Sequence, residues 1–150
     1  MRLDVVTPQG RLLSVEATEV TAPGIKGEFG VLPGHVPFLS GLKPGVLTYS
    51  GAQVQGLAAV GKLAVGAGYA EVSHDRVIVL AEEGAAPKAL AEALKETGQI
   101  VPEIDAEAAR KDLAEATREL EQAATGEDVV ARTLAQKKFD WAQARLDALA

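Results

Sequence analysis

The sequence predicts an all-β sandwich, or flattened barrel, of about eight to ten short strands over residues 1–83, followed by an antiparallel α-helical hairpin over 104–150. Two observations carry this reading. Before residue 84, apolar residues recur at a period of two, as at Leu3 and Val5, at Leu13, Val15 and Ala17, and at Val77, Val79 and Ala81. Short runs of that kind, separated by Gly, Pro or Asp, are half-buried strands. After residue 84 glycine almost vanishes, alanine dominates, and the apolar spacing lengthens to three or four, the period of one face of a helix.

Within the β region, turn signals fall at Gly51-Ala52, Gly61-Lys62 and His74-Asp75. The segment Gly27 to Phe38, GEFGVLPGHVPF, is the densest in conformational constraint. Gly27, Gly30 and Gly34 permit positive φ or close backbone approach, while Pro33 and Pro37 fix φ and remove two donors, so the chain must turn repeatedly there. Glu28, His35 and Phe38 place a carboxylate, an imidazole and an aromatic ring in that loop, the mix of a binding loop on a rigid scaffold. The plainer reading is an ordered connection between two strands.

Residues 84–103, GAAPKALAEALKETGQIVPE, read as a linker or insertion. Pro87 just before and Gly98 just after Lys88–Thr97 punctuate a short helix, and Gln99–Glu103 is extended. A surface insertion accounts for it, as does a tether that lengthens the reach of the hairpin. In the hairpin, Ile104, Ala108, Leu113, Ala116, Leu120 and Ala124 form one stripe. Thr125-Gly126-Glu127-Asp128 supplies a stop and a new N-cap, and Ala131, Ala135, Phe139, Ala142, Leu146 and Leu149 form the second. Such narrow, alanine-rich stripes bury little area, so the hairpin is expected to be marginal alone and open to exchange between packings.

Composition excludes several functions. At 150 residues and 15.6 kDa the chain holds one real core and at most a small second module. No cysteine means no disulfide and no thiolate site. A net charge of −6, with no basic run longer than Lys137-Lys138, gives no nucleic-acid footprint. The longest apolar stretch, Leu57 to Ala70, is broken by Lys62 and glycines, so no membrane span is expected. His35 and His74 alone do not make a zinc site. Ser73-His74-Asp75 are consecutive on a strand end and point to different faces, so they are no catalytic triad. The glycines of VGAGYA at 65–70 precede no helix and no P-loop lysine motif exists, while Glu82-Glu83 read as solvated charge. Neither a catalytic site, a metal nor a cofactor is expected.

Taken together, GEFGVLPGHVPF, LKPGVL at 42–47, LAVGAGYAEVSHDRVIVLAE at 63–82 and the opening RLDVVTPQGRLLSVEATEVTAPG resemble the epsilon subunit of bacterial F-type ATP synthases. The chloroplast counterpart shares that name and the mitochondrial one is called delta. The likeness covers most of residues 2–83, and 104–150 agree in character more than in letters. It implies a non-catalytic central-stalk subunit of the rotary motor, whose β-domain joins the gamma subunit to the c-subunit ring and whose C-terminal helices restrain ATP hydrolysis by extending toward the alpha and beta subunits. It implies a peripheral position on the cytoplasmic face of the inner (plasma) membrane, held there only through the complex.

By match to the motif, Glu28, Gly30, Pro33, Gly34 and His35 fall at the gamma or c-ring interface. Arg110, Arg118, Arg132, Lys137, Lys138 and Arg145 are the candidates for regulatory helix contacts, although nine basic against thirteen acidic residues over 85–150 weaken a charge argument. Some family members bind ATP through a D-x-x-R-A motif opening the first of these helices. Here Asp105 matches its start, but the next arginine is Arg110, five positions on rather than three, a displacement of about 200° around a helix. The pattern is broken. The family also reaches its first helix in fewer residues than this chain. The competing class is a free-standing β-sandwich binding module with a helical tail. It expects an aromatic platform, whereas Phe29, Phe38, Tyr49, Tyr69, Phe139 and Trp141 are scattered.

Overall fold

A computed structural model of the chain describes residues 1–51 and 60–150. Ten strands come first: β1 (Arg2–Thr7), β2 (Gly10–Glu16), β3 (Glu19–Gly24), β4 (Gly27–Val31), β5 (Phe38–Leu42), β6 (Gly45–Ser50), β7 (Val60–Val65), β8 (Gly68–Ser73), β9 (Arg76–Ala81) and β10 (Gly84–Ala85). Three helices follow, α1 (Lys88–Glu96), α2 (Ala106–Ala124) and α3 (Val129–Leu149). The strands hydrogen-bond in the order β10-β7-β6-β3-β5-β8-β9-β1-β2, with β4 paired to β3 as a hairpin arm. All pairs are antiparallel except β1 with β9. Residues from both ends of that order, Leu3 and Leu13 with Leu63 and Val65, share one buried cluster, so the sheet curls over itself into the expected sandwich.

The period-two pattern accounts for which side chains go inside. Leu3 and Val5, Leu47 and Tyr49, Leu63 and Val65, and Val77 and Val79 are all buried. A register shift between Val5 and Val6 lets β2 turn both Leu12 and Leu13 inward. Of the turn signals, His74-Asp75 is the two-residue connection from β8 to β9. Gly51 has φ +78°, and its partner Ala52 lies outside the described residues, as do Leu57–Ala59 of the long apolar stretch.

Gly61-Lys62 is not a turn: both lie within β7. Gly61 pairs with Tyr49 across β6, and a Cβ there would sit 2.2 Å from Tyr49 Cζ, so the glycine makes room for the ring. Lys62 points outward and donates from Nζ to the Ala150 carbonyl at 3.0 Å.

The 84–103 segment differs from a surface insertion. Gly84–Ala85 extends the sheet as β10, and α1 places Leu90, Ala91 and Leu94 in the sandwich cluster, joined by Ala86 and Val101. A Schellman motif ends the helix: Gln99 N–H donates to Leu94 O and Gly98 N–H to Lys95 O, with Gly98 at φ +83°. The Gln99 side-chain carbonyl then accepts from the backbone N–H of Ser14 on β2. The segment therefore leaves the sheet at β10, lays α1 on the core, and satisfies one donor on the free edge of β2 through Gln99.

The hairpin stripes are partly redrawn. Asp105 and Asp128 cap α2 and α3 as their positions suggest. Ala116, Ala135 and Ala142 are buried, but Ala124, Ala131 and Leu149 are exposed and Ala109, Ala144 and Ala148 are buried instead. Positions 142 and 144 are about 200° apart on a helix, so α3 has two buried faces. One lies in the α2–α3 pairing, and the other joins Ala64, Ala85, Ile104, Val46 and Trp141 against β6 and β7.

One buried charge sits on the outward side of β1. Burial raises the Asp4 carboxyl pKa, but the nearby Ser14 hydroxyl and the Arg76 guanidinium, with Arg2, outweigh that and hold it below its ordinary value. Its stabilising contribution is thus complete above the unfolded pKa of about 4 and lost as pH falls through the lower folded value. Tyr49 is the reverse case: burial pushes its hydroxyl up to about 12, so stability falls as pH rises from about 10 to about 12. Asp4→Asn should cost about 2 kcal/mol at neutral pH. Urea titrations should show that difference shrinking at pH 3.

Candidate functional site

The candidate loop is held by three hydrogen bonds. Leu32-Pro33-Gly34-His35 forms a turn in which His35 N–H donates to Leu32 O at 3.1 Å, and Gly34, at φ +80°, takes the position that requires glycine after proline in a type II turn. Gly34 N–H donates to His74 O at 3.1 Å, tying the loop to the β8–β9 turn. His35 Nδ1 donates to the Val36 carbonyl at 2.8 Å, which fixes the tautomer with the proton on that nitrogen. The His35 ring stands 5.1 Å from the Phe38 ring, and Phe38 meets Phe29 edge-on at 5.2 Å and 77°.

Pro33, Gly34 and His35 therefore lie in one rigid turn. Gly30 is exposed next to it on β4, and Glu28 sits about 7 Å further back along that strand with its carboxylate in solvent. What the sequence reading missed is that Leu32, Val36 and Leu39 are exposed around His35. The signal was present, since these apolar residues are interleaved with Pro33, Gly34 and Pro37 and cannot alternate into a core. The loop thus presents a rigid, largely apolar surface with an imidazole and, at a distance, a carboxylate.

The basic residues of the helices divide. Lys138 pairs with Glu119 at 3.0 Å and Arg145 with Asp112 at 2.7 Å, both between α2 and α3. Lys137 pairs with Glu82 of the sandwich at 2.6 Å, so Glu82 is not merely solvated charge. Arg132 donates to the Gly126 carbonyl at 3.1 Å. Arg110 and Arg118 are exposed and form no ion pair among the described residues.

Between the sandwich and the hairpin lies a cleft of about 330 Å³ lined by Glu83, Glu103, Asp105, Trp141 and Arg145 among others. Asp105 Oδ1 accepts from the N–H groups of Glu107 and Ala108, both at 3.0 Å, and Arg110 is not among the lining residues. Asp105 and Arg110 are not brought together there. Three carboxylates face one guanidinium already held by Asp112, an arrangement that repels phosphate.

The sequence profile described as ATP synthase, Delta/Epsilon chain, beta-sandwich domain matches residues 1–87. An ATP synthase epsilon chain from Anaeromyxobacter sp. (strain K) is 41% identical over 122 residues, covering 81% of this chain and 78% of the relative. The chain belongs to the ATP synthase delta/epsilon family. A second epsilon chain, from Geobacter metallireducens, is 51% identical over 83 residues, 55% of this chain and 56% of that one. Among solved structures, a chain of the Euglena gracilis mitochondrial ATP synthase, described as OSCP/F1/c-ring in rotational state 1, matches with a TM-score of 0.66 at 23% identity. It covers 99% of this chain and 80% of that one, a likeness of fold. The delta/epsilon sandwich profile thus ends at Pro87, where the sheet gives way to α1.

Proposed function

We propose that this chain is the non-catalytic epsilon-type subunit of the central stalk of a rotary, proton-translocating ATP synthase. The observation that carries this is the 41% identity to an epsilon chain across 81% of the sequence. In this reading the β-sandwich joins the gamma subunit to the c-ring, and the helices, when released from the sandwich, restrain ATP hydrolysis through the alpha and beta subunits. The chain would sit at the cytoplasmic face of the inner (plasma) membrane as a peripheral part of the complex. Among the described residues no helix is long and apolar enough to cross a membrane.

Physical features support each part. The turn at 32–35 is held by backbone hydrogen bonds and carries exposed Leu32, Val36 and Leu39, so a partner surface can bury apolar area without first ordering a loop. Glu28, Gly30, Pro33, Gly34 and His35 are the positions we assign to the gamma or c-ring contact. The helices rest on the sandwich through alanine side chains and Trp141, the half-exposed ion pair Lys137–Glu82 and the exposed Lys62–Ala150 hydrogen bond, a small interface that a partner can outcompete. Of the six basic candidates, Arg110 and Arg118 are the ones that docked state leaves available to a partner.

Cysteines introduced singly as Glu28→Cys and His35→Cys in the assembled enzyme should form cross-links to gamma or to a c subunit. Reaction of both only with free reagent, never with a neighbouring subunit, would remove the loop from the interface.

A further inference from the structure

The segment that carries α1 returns to the point it left. Ala86 N–H donates to Pro102 O at 2.9 Å and Ile104 N–H donates to Ala86 O at 2.8 Å, a parallel bridge that sets Ala86 beside Glu103. Between these ends the chain is fastened again by Leu90 and Leu94 in the sandwich cluster and by the Gln99 side chain on Ser14. Ala86 is fully buried and Val101 nearly so. Residues 86–104 are thus a closed loop, secured to the sandwich at its start, middle and end.

Beyond the loop, the direction of the bonds changes within one residue. Ile104 donates back to Ala86 and shares a buried cluster with Ala64 and Ala85. Asp105 bonds forward: its carbonyl accepts from Ala109 N–H at 2.9 Å, and its Oδ1 accepts from the N–H groups of Glu107 and Ala108. It is an extended N-cap with φ −88° and ψ 105°. Rotation about its φ carries the carboxylate, the carbonyl and α2 together and breaks none of these bonds. Opened with α1 intact, residues 87–103 would stretch to about 40 Å, from the nine helical residues at about 1.5 Å each and the others extended at about 3.3 Å. Closed, they separate Ala86 from Glu103 by one strand spacing, about 4.8 Å.

We propose that residues 86–104 are a clasp that stays closed on the sandwich when the helical hairpin is released, so that the hairpin swings about Asp105 and the added segment fixes where the swing starts instead of lengthening its reach. The clasp rests on the release of the helices proposed above. Burial sets the order of events. Release of the hairpin withdraws Ala144, Ala148 and the half-buried Trp141, whereas opening the clasp withdraws the buried Leu90, Leu94 and Val101 and breaks two backbone hydrogen bonds as well. The hairpin therefore lets go first.

The full chain carrying Ala148→Glu tests this, because Trp141 is the single tryptophan and packs beside Ala148 against the sandwich. A red shift of Trp141 emission reports release, and hydrogen exchange at the Ala86 and Ile104 amides reports the clasp. Emission should move to the red while both amides exchange within about threefold of their wild-type rates. Faster exchange than that at both would show the clasp opening with the hairpin and overturn it, leaving release intact. An unshifted emission would remove the release reading and the swing about Asp105 together. In the assembled enzyme, Gly-Ser-Gly inserted between Gln99 and Ile100 should leave ATP hydrolysis within about twofold of wild type, because the slack stays inside the closed loop. The same insertion between Ile104 and Asp105 should raise hydrolysis toward the rate of an enzyme whose chain ends at Ile104. A rise from the first insertion as large as from the second, or no rise from either in an enzyme that the truncation activates, would overturn the pivot.

Discussion

A fragment ending at residue 86 will fail to fold, whereas one ending at 104 will give a cooperative, β-rich unit. The shorter fragment retains all ten strands, and the sequence alone marks the boundary near 84 as self-contained. The packing argues otherwise. Leu90, Leu94 and Val101 are buried in the sandwich cluster, and each contributes about 2 kcal/mol of transfer free energy. Their sum, about 6 kcal/mol, is comparable to the whole stability of a small domain. Their loss would also uncover the free edge of β2 that Gln99 caps, inviting edge-to-edge association. Within the full chain, Leu94→Ala should cost about 3 kcal/mol. Thermal melts of the two fragments decide this, and a melt of 1–86 as sharp and as high as that of 1–104 would show that α1 is dispensable.

The second large effect concerns the helices. Removing 105–150 should raise ATP hydrolysis by the assembled enzyme several-fold without changing subunit composition, because the assembly contacts we propose belong to the sandwich. Ala148→Glu should act in the opposite direction. Ala148 is buried against Ala64, Ala85 and Ile104, and an unpaired carboxylate there costs about 3 kcal/mol, roughly two orders of magnitude in the docked-to-released ratio. Released helices would populate the inhibitory state, and the hydrolysis rate should fall. Equal rates for the wild-type, truncated and Ala148→Glu enzymes would reject inhibition by this hairpin.

The strands were legible wherever one face is buried and the other wet, because alternation is then written directly in the residue types, as at Val77, Val79 and Ala81. Gly61 misled because a glycine opposite a large ring carries the same letter as a glycine in a turn, and only the pairing with Tyr49 separates the two. The short helix was legible from Pro87 and Gly98, but its burial was not. A strand edge left open by β2 and β10 is a property of the closed sheet, not of any local run. In α3 the two buried faces defeat a single-stripe reading, so Ala144 and Ala148 fall outside the stripe that the spacing marks. In the loop, the constraint on Pro33, Gly34 and His35 was readable from turn chemistry. The exposure of Leu32, Val36 and Leu39, and the arginine cluster on Asp4, depend on which strands become neighbours.

The central claim is membership in the stalk of an ATP synthase, and affinity purification of the tagged full-length chain from detergent-solubilised membranes tests it most directly. The account predicts that alpha, beta, gamma and c subunits are recovered with the chain in fixed proportion and survive a wash at moderate salt. Recovery of the chain alone, or with partners that include none of these subunits, would contradict it.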